Sequence, residues 1–330
     1  MTQEKSIFEI RRHPLLGAIL LCILMSGLYV AYLIWGVRTP AENIVTPSPL
    51  SEWLWHWQKM HPVWSYIIIG CSTAFLGVKL GQLVSRYNLY GTTTHLPMEL
   101  FPLLMFGVMV NISSLSSIVV VGLVIYSLSK FFGSYRAANC AGSLLSGTMA
   151  LGGVALLYPP AVVLWSVVPF MVIFFDRTLR EVIVTFFGLL VTPFLYIYVR
   201  WIMGGDFWDE IVSFMSLIST HNGYNIIDSF YGVSVVMLTL VLYMMINAVF
   251  AISLLENTVK AKHRIRLIVI YAIASIGMIM VPSADTSTFG IIAISAAVLI
   301  PVTLLKFGRL ISFIMYLAIL VCCALTLAGF

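Results

Sequence analysis

The chain has 330 residues, of which 61% are hydrophobic and 9% charged, where a soluble domain carries roughly 25% charged residues. So little charge cannot cover a water-soluble surface, so the solvent must be mostly lipid. The formal net charge of +5 is scattered singly or in small groups at the ends of apolar runs, which is an orientation signal and not a nucleic-acid-tracking patch.

Apolar runs cover 15–36, 63–84, 96–110, 113–129, 138–157, 161–175, 182–200, 231–253, 267–282, 288–304 and 310–328. At about 20 residues per crossing, eleven spans with short connectors nearly exhaust the chain. The expected fold class is all-α, one polytopic transmembrane helix bundle over 1–330. The first run follows Arg11 and Arg12 and lacks a small-x-small cleavage site, so it reads as an uncleaved span. Residues 37–62 form a long connector in which Ser48 can cap a helix that has Pro49 at its first position. Trp53, Trp55 and Trp57 then mark a short helix lying on the membrane interface.

Pro97 and Pro102 disfavour a regular helix in the third run, and the pair 96–129 reads alternatively as a partly inserted hairpin. The fifth run carries small residues every fourth position, Gly142, Ser146 and Ala150 beside Ser143 and Gly147, as a central packing helix would. The second long connector covers 201–230. Asp206 can cap a helix with Asp209 and Glu210 in its first turn. Phe207, Ile211, Phe214, Met215 and Ile218 give that helix an apolar face, and His221, Asn222, Asn225 and Asp228 follow it.

Positive residues resist translocation, so their positions record sidedness. With the N-terminus inside, all of the 18 Lys and Arg residues except Arg38, Lys59 and Arg200 fall on or near the inner side. The C-terminus is then outside, and both long connectors with their amphipathic helices are outside too. The expected location is the bacterial inner (cytoplasmic) membrane.

Ionisable groups inside a span are functional candidates. Lys79 and Glu99 lie near the inner ends of adjacent runs, as a possible ion pair. The outer acids Glu42, Glu52, Asp206 and Asp209, with His221, could face one outer cavity. There they would activate an acceptor hydroxyl or hold a divalent cation against a diphosphate. Arg38 and Lys59 are the cations available to a lipid phosphate. The five cysteines sit in apolar runs without C-x-x-C spacing. No G-x-S-x-G, P-loop or H-E-x-x-H motif occurs, and the six histidines sit mostly at run ends and connectors, unlike a di-iron oxygenase.

Gly147 to Pro160 reads GTMALGGVALLYPP. A run ending before Arg177 and Arg180-Glu181 follows, then another with Gly188 and Pro193, and later Ile300-Pro301 ahead of Lys306 and Arg309. This layout resembles a family of polytopic inner-membrane proteins from Bacteroidota. The same stretch is similar to the GT-C glycosyltransferases and related glycan polymerases. That resemblance implies handling of a polyprenyl-phosphate-linked glycan at the outer leaflet, with Glu42 or Glu52 by position as the catalytic acid of the first outer loop. The first loop lacks a paired-acid motif. Two other readings stay open: a non-enzymatic component of an envelope assembly or secretion complex, and a transporter built on broken helices.

Overall fold

The computed structural model describes residues 48–91, 94–108, 114–135, 140–175, 178–219, 233–252, 259–285 and 287–327, and among these it is helical with no strand. The helices are α1 (Pro49–Met60), α2 (Pro62–Arg86), α3 (Leu96–Val108), α4 (Leu115–Ser134) and α5 (Ala141–Leu157). A 3-10 segment, Pro159–Ser166, leads into α6 (Val167–Phe174). Then come α7 (Leu179–Ile202), α8 (Phe207–Ser219), α9 (Val233–Ala251), α10 (Val259–Gly277), α11 (Thr288–Lys306) and α12 (Arg309–Leu327). The stretches Pro62–Arg86, Leu115–Ser134, Leu179–Ile202, Val259–Met280 and Thr288–Lys306 are long and apolar enough to cross a membrane. The outer face of α7 exposes Ile183, Phe187, Leu190 and Phe194, a surface that requires lipid or protein against it. The first run, 15–36, lies outside the described residues.

The prolines of α3 and α7 are accommodated by position or by a neighbouring helix. Pro97 occupies the second position of α3, where a missing N–H costs nothing. Pro102 lies inside α3 and so leaves the Met98 carbonyl without its helical donor. That carbonyl packs on Gly77 of α2, where an added Cβ would stand 2.9 Å from it, and Gly81 sits equally close to the Met98 side chain. The third run is therefore a regular helix of 13 residues, contrary to the expectation from its prolines. The same device recurs where α5 meets α7. Pro193 frees the Leu189 carbonyl, and Gly152 of α5 lies against it.

Two glycines of α5, Gly147 of the expected small-residue rows and Gly152 beyond them, pack closely on opposite sides. Gly147 meets Phe131 of α4, while Gly152 meets α7. Gly142, predicted to belong to those rows, has nothing within 4 Å of its Cβ direction. The helix enclosed on all sides is instead α11, where every residue from Thr288 to Leu304 is buried. It packs among α3, α4, α9 and α10. Tyr90 donates its hydroxyl to the Val298 carbonyl at 2.6 Å, Tyr271 to Ile291 at 3.0 Å, and Thr303 of α11 donates to Met244 at 2.8 Å.

Antiparallel helices with short connectors give the bundle two ends. One holds α1, α8, the start of α4, Tyr158 and the 281–287 turn, and with them Glu52, Asp206, Asp209, Glu210 and Asp285. The opposite end holds Arg86, Lys130, Arg180, Lys260, Lys262, Arg264, Arg266, Lys306 and Arg309. Of the described cations, Lys59 and Arg200 lie at the acidic end. Of the described acids, Glu99 and Glu181 lie toward the basic end.

Candidate functional site

The acidic end is held together by polar contacts across five segments: α1, the start of α4, the 283–288 turn, the Tyr158 turn and α8. Ser48 caps α1 by accepting the Ser51 amide at 3.3 Å, as the Ser48-Pro49 pair predicts. Two residues before its end, α1 buries Gln58, which accepts the Leu115 amide at 3.1 Å. This satisfies one of the orphan donors at the start of α4. The α4 cap Ser114 accepts from the Ser117 amide at 3.1 Å and lies 2.6 Å from the Ser117 hydroxyl. Ser117 in turn donates to Ser287 at 2.9 Å.

From Ser287 the chain of contacts continues to Asp285, whose Oδ1 accepts the Ser287 amide at 2.7 Å. The Asp285 amide donates to the Tyr158 hydroxyl at 3.0 Å, and that hydroxyl is 2.7 Å from Thr288 Oγ1. Tyr158 opens the Tyr-Pro-Pro turn after α5, so the turn carries a buried hydroxyl into the 285–288 segment 127 residues away. Ser283 donates to the Ile218 carbonyl at 3.0 Å, tying α8 to the same turn. Asp285 sits in this enclosure with its carboxyl raised above the ordinary carboxylate pKa, first because burial disfavours the charge; the Ser287 and Tyr158 contacts oppose that in part.

The sequence-predicted residues are placed differently. Glu52 is exposed and 3.7 Å from His56 on the same helix face. Lys59 lies 3.6 Å above the Trp55 ring. Asp206 accepts the Trp208 amide at 2.8 Å, the expected cap of α8, and Asp209 is exposed in the first turn beside it. Glu210 pairs with Arg200 at 3.0 Å. Along the predicted apolar face of α8, Phe207, Ile211, Phe214 and Ile218 are half-buried, whereas Met215 is exposed. No hydrogen bond or ion pair among the described residues joins Glu52 to Asp206 or Asp209. Arg38, Glu42 and His221 lie outside the described residues.

Lys79 and Glu99 face different neighbours. Glu99 is buried and accepts the Tyr316 hydroxyl at 3.1 Å. Lys79 extends over Phe75 at 5.2 Å, into a groove between α2 and α4. Among the described residues no group of three or more His, Cys, Asp or Glu side chains is placed to hold a metal ion.

In the sequence Asp285 stands only as one more outer acid, because it lies off the two long connectors that carry the selected candidates. The available signal was the run Pro282-Ser-Ala-Asp-Thr-Ser-Thr288, a dense polar turn between two strongly apolar stretches. No protein-family model matches the chain, no curated protein matches it, and no solved structure matches its fold.

Proposed function

We propose that the chain is a multi-pass protein of the inner membrane, with about eleven spans, its N-terminus inside and its C-terminus outside. In this reading its outer end handles a polyprenyl-phosphate-linked glycan, as the resemblance to GT-C enzymes suggests. The separation of cations and acids onto opposite bundle ends supports the orientation, since cations are held back from translocation. Helix α1 supports the outer interfacial role. It buries Gln58 and Ser51 while Trp53 and Glu52 stay exposed, and tryptophan favours the headgroup level. The 207–219 helix, half-buried on the side facing the bundle, takes the second interfacial position.

The single observation that carries the chemical part is Asp285. Among the described outer acids it is the half-buried one whose carboxylate accepts the Ser287 amide while its own amide donates to the Tyr158 hydroxyl, with its proton affinity raised. A carboxylate so tuned is a better general base than an exposed one. Its task would be to take the proton of an acceptor hydroxyl as that oxygen attacks the anomeric carbon and the lipid diphosphate departs. Glu42, Glu52, Asp206, Asp209 and His221 remain as partners for the diphosphate or its cation, with Arg38 and Lys59 for the lipid phosphate.

The test replaces Asp285 by Asn, Tyr158 by Phe, and Glu42, Glu52, Asp206, Asp209 and His221 singly by Ala in cells. Asp285→Asn is expected to deplete an envelope glycan and accumulate its lipid-linked precursor, with the protein still present in the membrane. Unchanged glycans and precursors in all seven variants would refute the enzymatic reading. A stoichiometric partner recovered in mild detergent alongside that result would favour an envelope assembly component.

A further inference from the structure

At the basic end, α2 and α4 leave a groove of about 510 Å³ open to the bundle surface. On α2, Phe75, Lys79, Gln82 and Arg86 line it, spaced four, three and four residues apart, which puts them on one helix face. On α4, Gly122, Tyr126 and Ser129 form the facing stripe. The stretch from Phe75 to Arg86 rises about 16 Å, roughly half of a ~30 Å hydrocarbon core. The groove therefore has the length of one leaflet.

Its two parts differ in chemistry. Toward the middle of the bundle, Phe75, Leu76, Gly122 and Ile125 give an apolar floor, widened where Gly122 has no side chain. Toward the end, Lys79 and Arg86 supply two cations and Gln82 and Ser129 two polar groups. Lys130 stands beside them, 5.2 Å from the Tyr126 ring. No Asp or Glu lines the groove, and among the described residues no carboxylate pairs with Lys79, Arg86 or Lys130. Nearby Arg264 behaves otherwise. Its guanidinium is held by two bonds to the Phe132 carbonyl, at 3.2 and 3.0 Å, and lies 4.3 Å over Tyr87. The structure thus uses one cation as internal cement and leaves others facing a groove.

We propose that this groove binds one anionic phospholipid of the inner leaflet, its phosphate between Lys79 and Arg86 and one acyl chain along Phe75 and Gly122. Charge complementarity decides the occupant. A zwitterionic headgroup would bring a second cation to the same place. This inference rests on the proposed orientation, basic end inside, but not on the outer-end chemistry, and it stands if the glycan reading fails.

The test uses the purified full chain in mild detergent, titrated with dioleoylphosphatidylglycerol or dioleoylphosphatidylcholine and followed by native mass spectrometry. One phosphatidylglycerol is expected to bind in preference to phosphatidylcholine. At about fivefold per cation, Lys79→Ala/Arg86→Ala weakens it on the order of thirtyfold. Lys79→Arg keeps binding, and Lys260→Ala/Lys262→Ala, at the same end but off the groove, leaves it unchanged. Gly122→Leu fills the floor without touching charge and also abolishes retention. Equal binding of the two lipids, retention in both the double variant and Gly122→Leu, or equal loss in the Lys260/Lys262 control each overturns the proposal.

Discussion

Two glycines of one helix should respond differently to the same substitution. At Gly152, an alanine Cβ would stand 2.7 Å from the Leu189 carbonyl and 3.2 Å from both Pro193 Cδ and Thr192 Cβ. A backbone carbonyl and a proline ring cannot rotate away, so α5 and α7 must separate. Overpacking of this kind costs about 1–3 kcal/mol. A backbone carbonyl closer than 3 Å puts this case in the upper part of that range, and the helix-propensity gain of alanine returns at most about 1 kcal/mol. Gly152→Ala should therefore destabilise the folded chain by about 1–3 kcal/mol. Gly142→Ala, with open space around it, keeps only the propensity gain and should be neutral or stabilising. Reversible unfolding in mixed micelles of rising SDS content measures both. Adding Pro193→Ala to Gly152→Ala restores an N–H for Leu189 and draws its carbonyl back into α7, so the double variant should recover part of the loss. A Gly152→Ala protein as stable as the parent, or a Gly142→Ala protein equally weakened, would refute the account of the crossing.

Burial raises the Asp285 carboxyl, so the folded chain holds that proton more tightly than the unfolded chain does. Stability tied to this proton is present below the unfolded carboxylate value of about 4 and is lost as pH rises through the folded one. Asp285→Asn should then be more stable than the parent at neutral pH and no more stable in acid; the same gap at pH 7 and pH 3.5 would contradict it. Arg264→Ala orphans the Phe132 carbonyl at the end of α4 and should cost about 1.5–3 kcal/mol. Arg264→Lys should recover only part, since one ammonium cannot both reach that oxygen and stack on Tyr87; a lysine variant matching the parent in the same micelle assay counts against it. In intact cells, Glu52→Cys should react with an impermeant maleimide and Lys260→Cys should not. Equal labelling would undo the assignment of acidic end outside and basic end inside.

Much of the helical layout was legible because lipid offers the backbone no partner, so an apolar run has to be a helix. The run 182–200 lies within Leu179–Ile202, and 310–328 matches Arg309–Leu327 to a residue or two. The run at 267–282 begins eight residues after the helix Val259–Gly277 does. Lys260, Lys262, Arg264 and Arg266 look like a loop in one dimension. In three, Arg264 reaches the end of α4 and the backbone coils on beneath it. Asp285 shows the same limit at the site. Its distinction from the exposed acids comes from Tyr158, which lies more than a hundred positions earlier in sequence and shares no local pattern with it.

The prolines show what local reading lacks. Pro102 and Pro193 each remove a donor inside an apolar helix, and taken alone each argues against that helix. In water the freed carbonyl would be hydrated; within a lipid-facing bundle it needs protein against it. In both cases the covering surface is a glycine of another helix, Gly77 for Met98 and Gly152 for Leu189. The missing side chain lets two backbones approach until the carbonyl occupies the space a Cβ would fill. Gly77 and Gly152 thus answer to prolines in other segments, and the small-residue spacing within one run captures them only in part. Pro301, inside α11, has no such glycine against the Ala297 carbonyl among the described residues, whereas at Pro102 and Pro193 the broken ladder is matched by a glycine elsewhere. That is why Gly152, set against Pro193, resists alanine where Gly142 of the same helix does not.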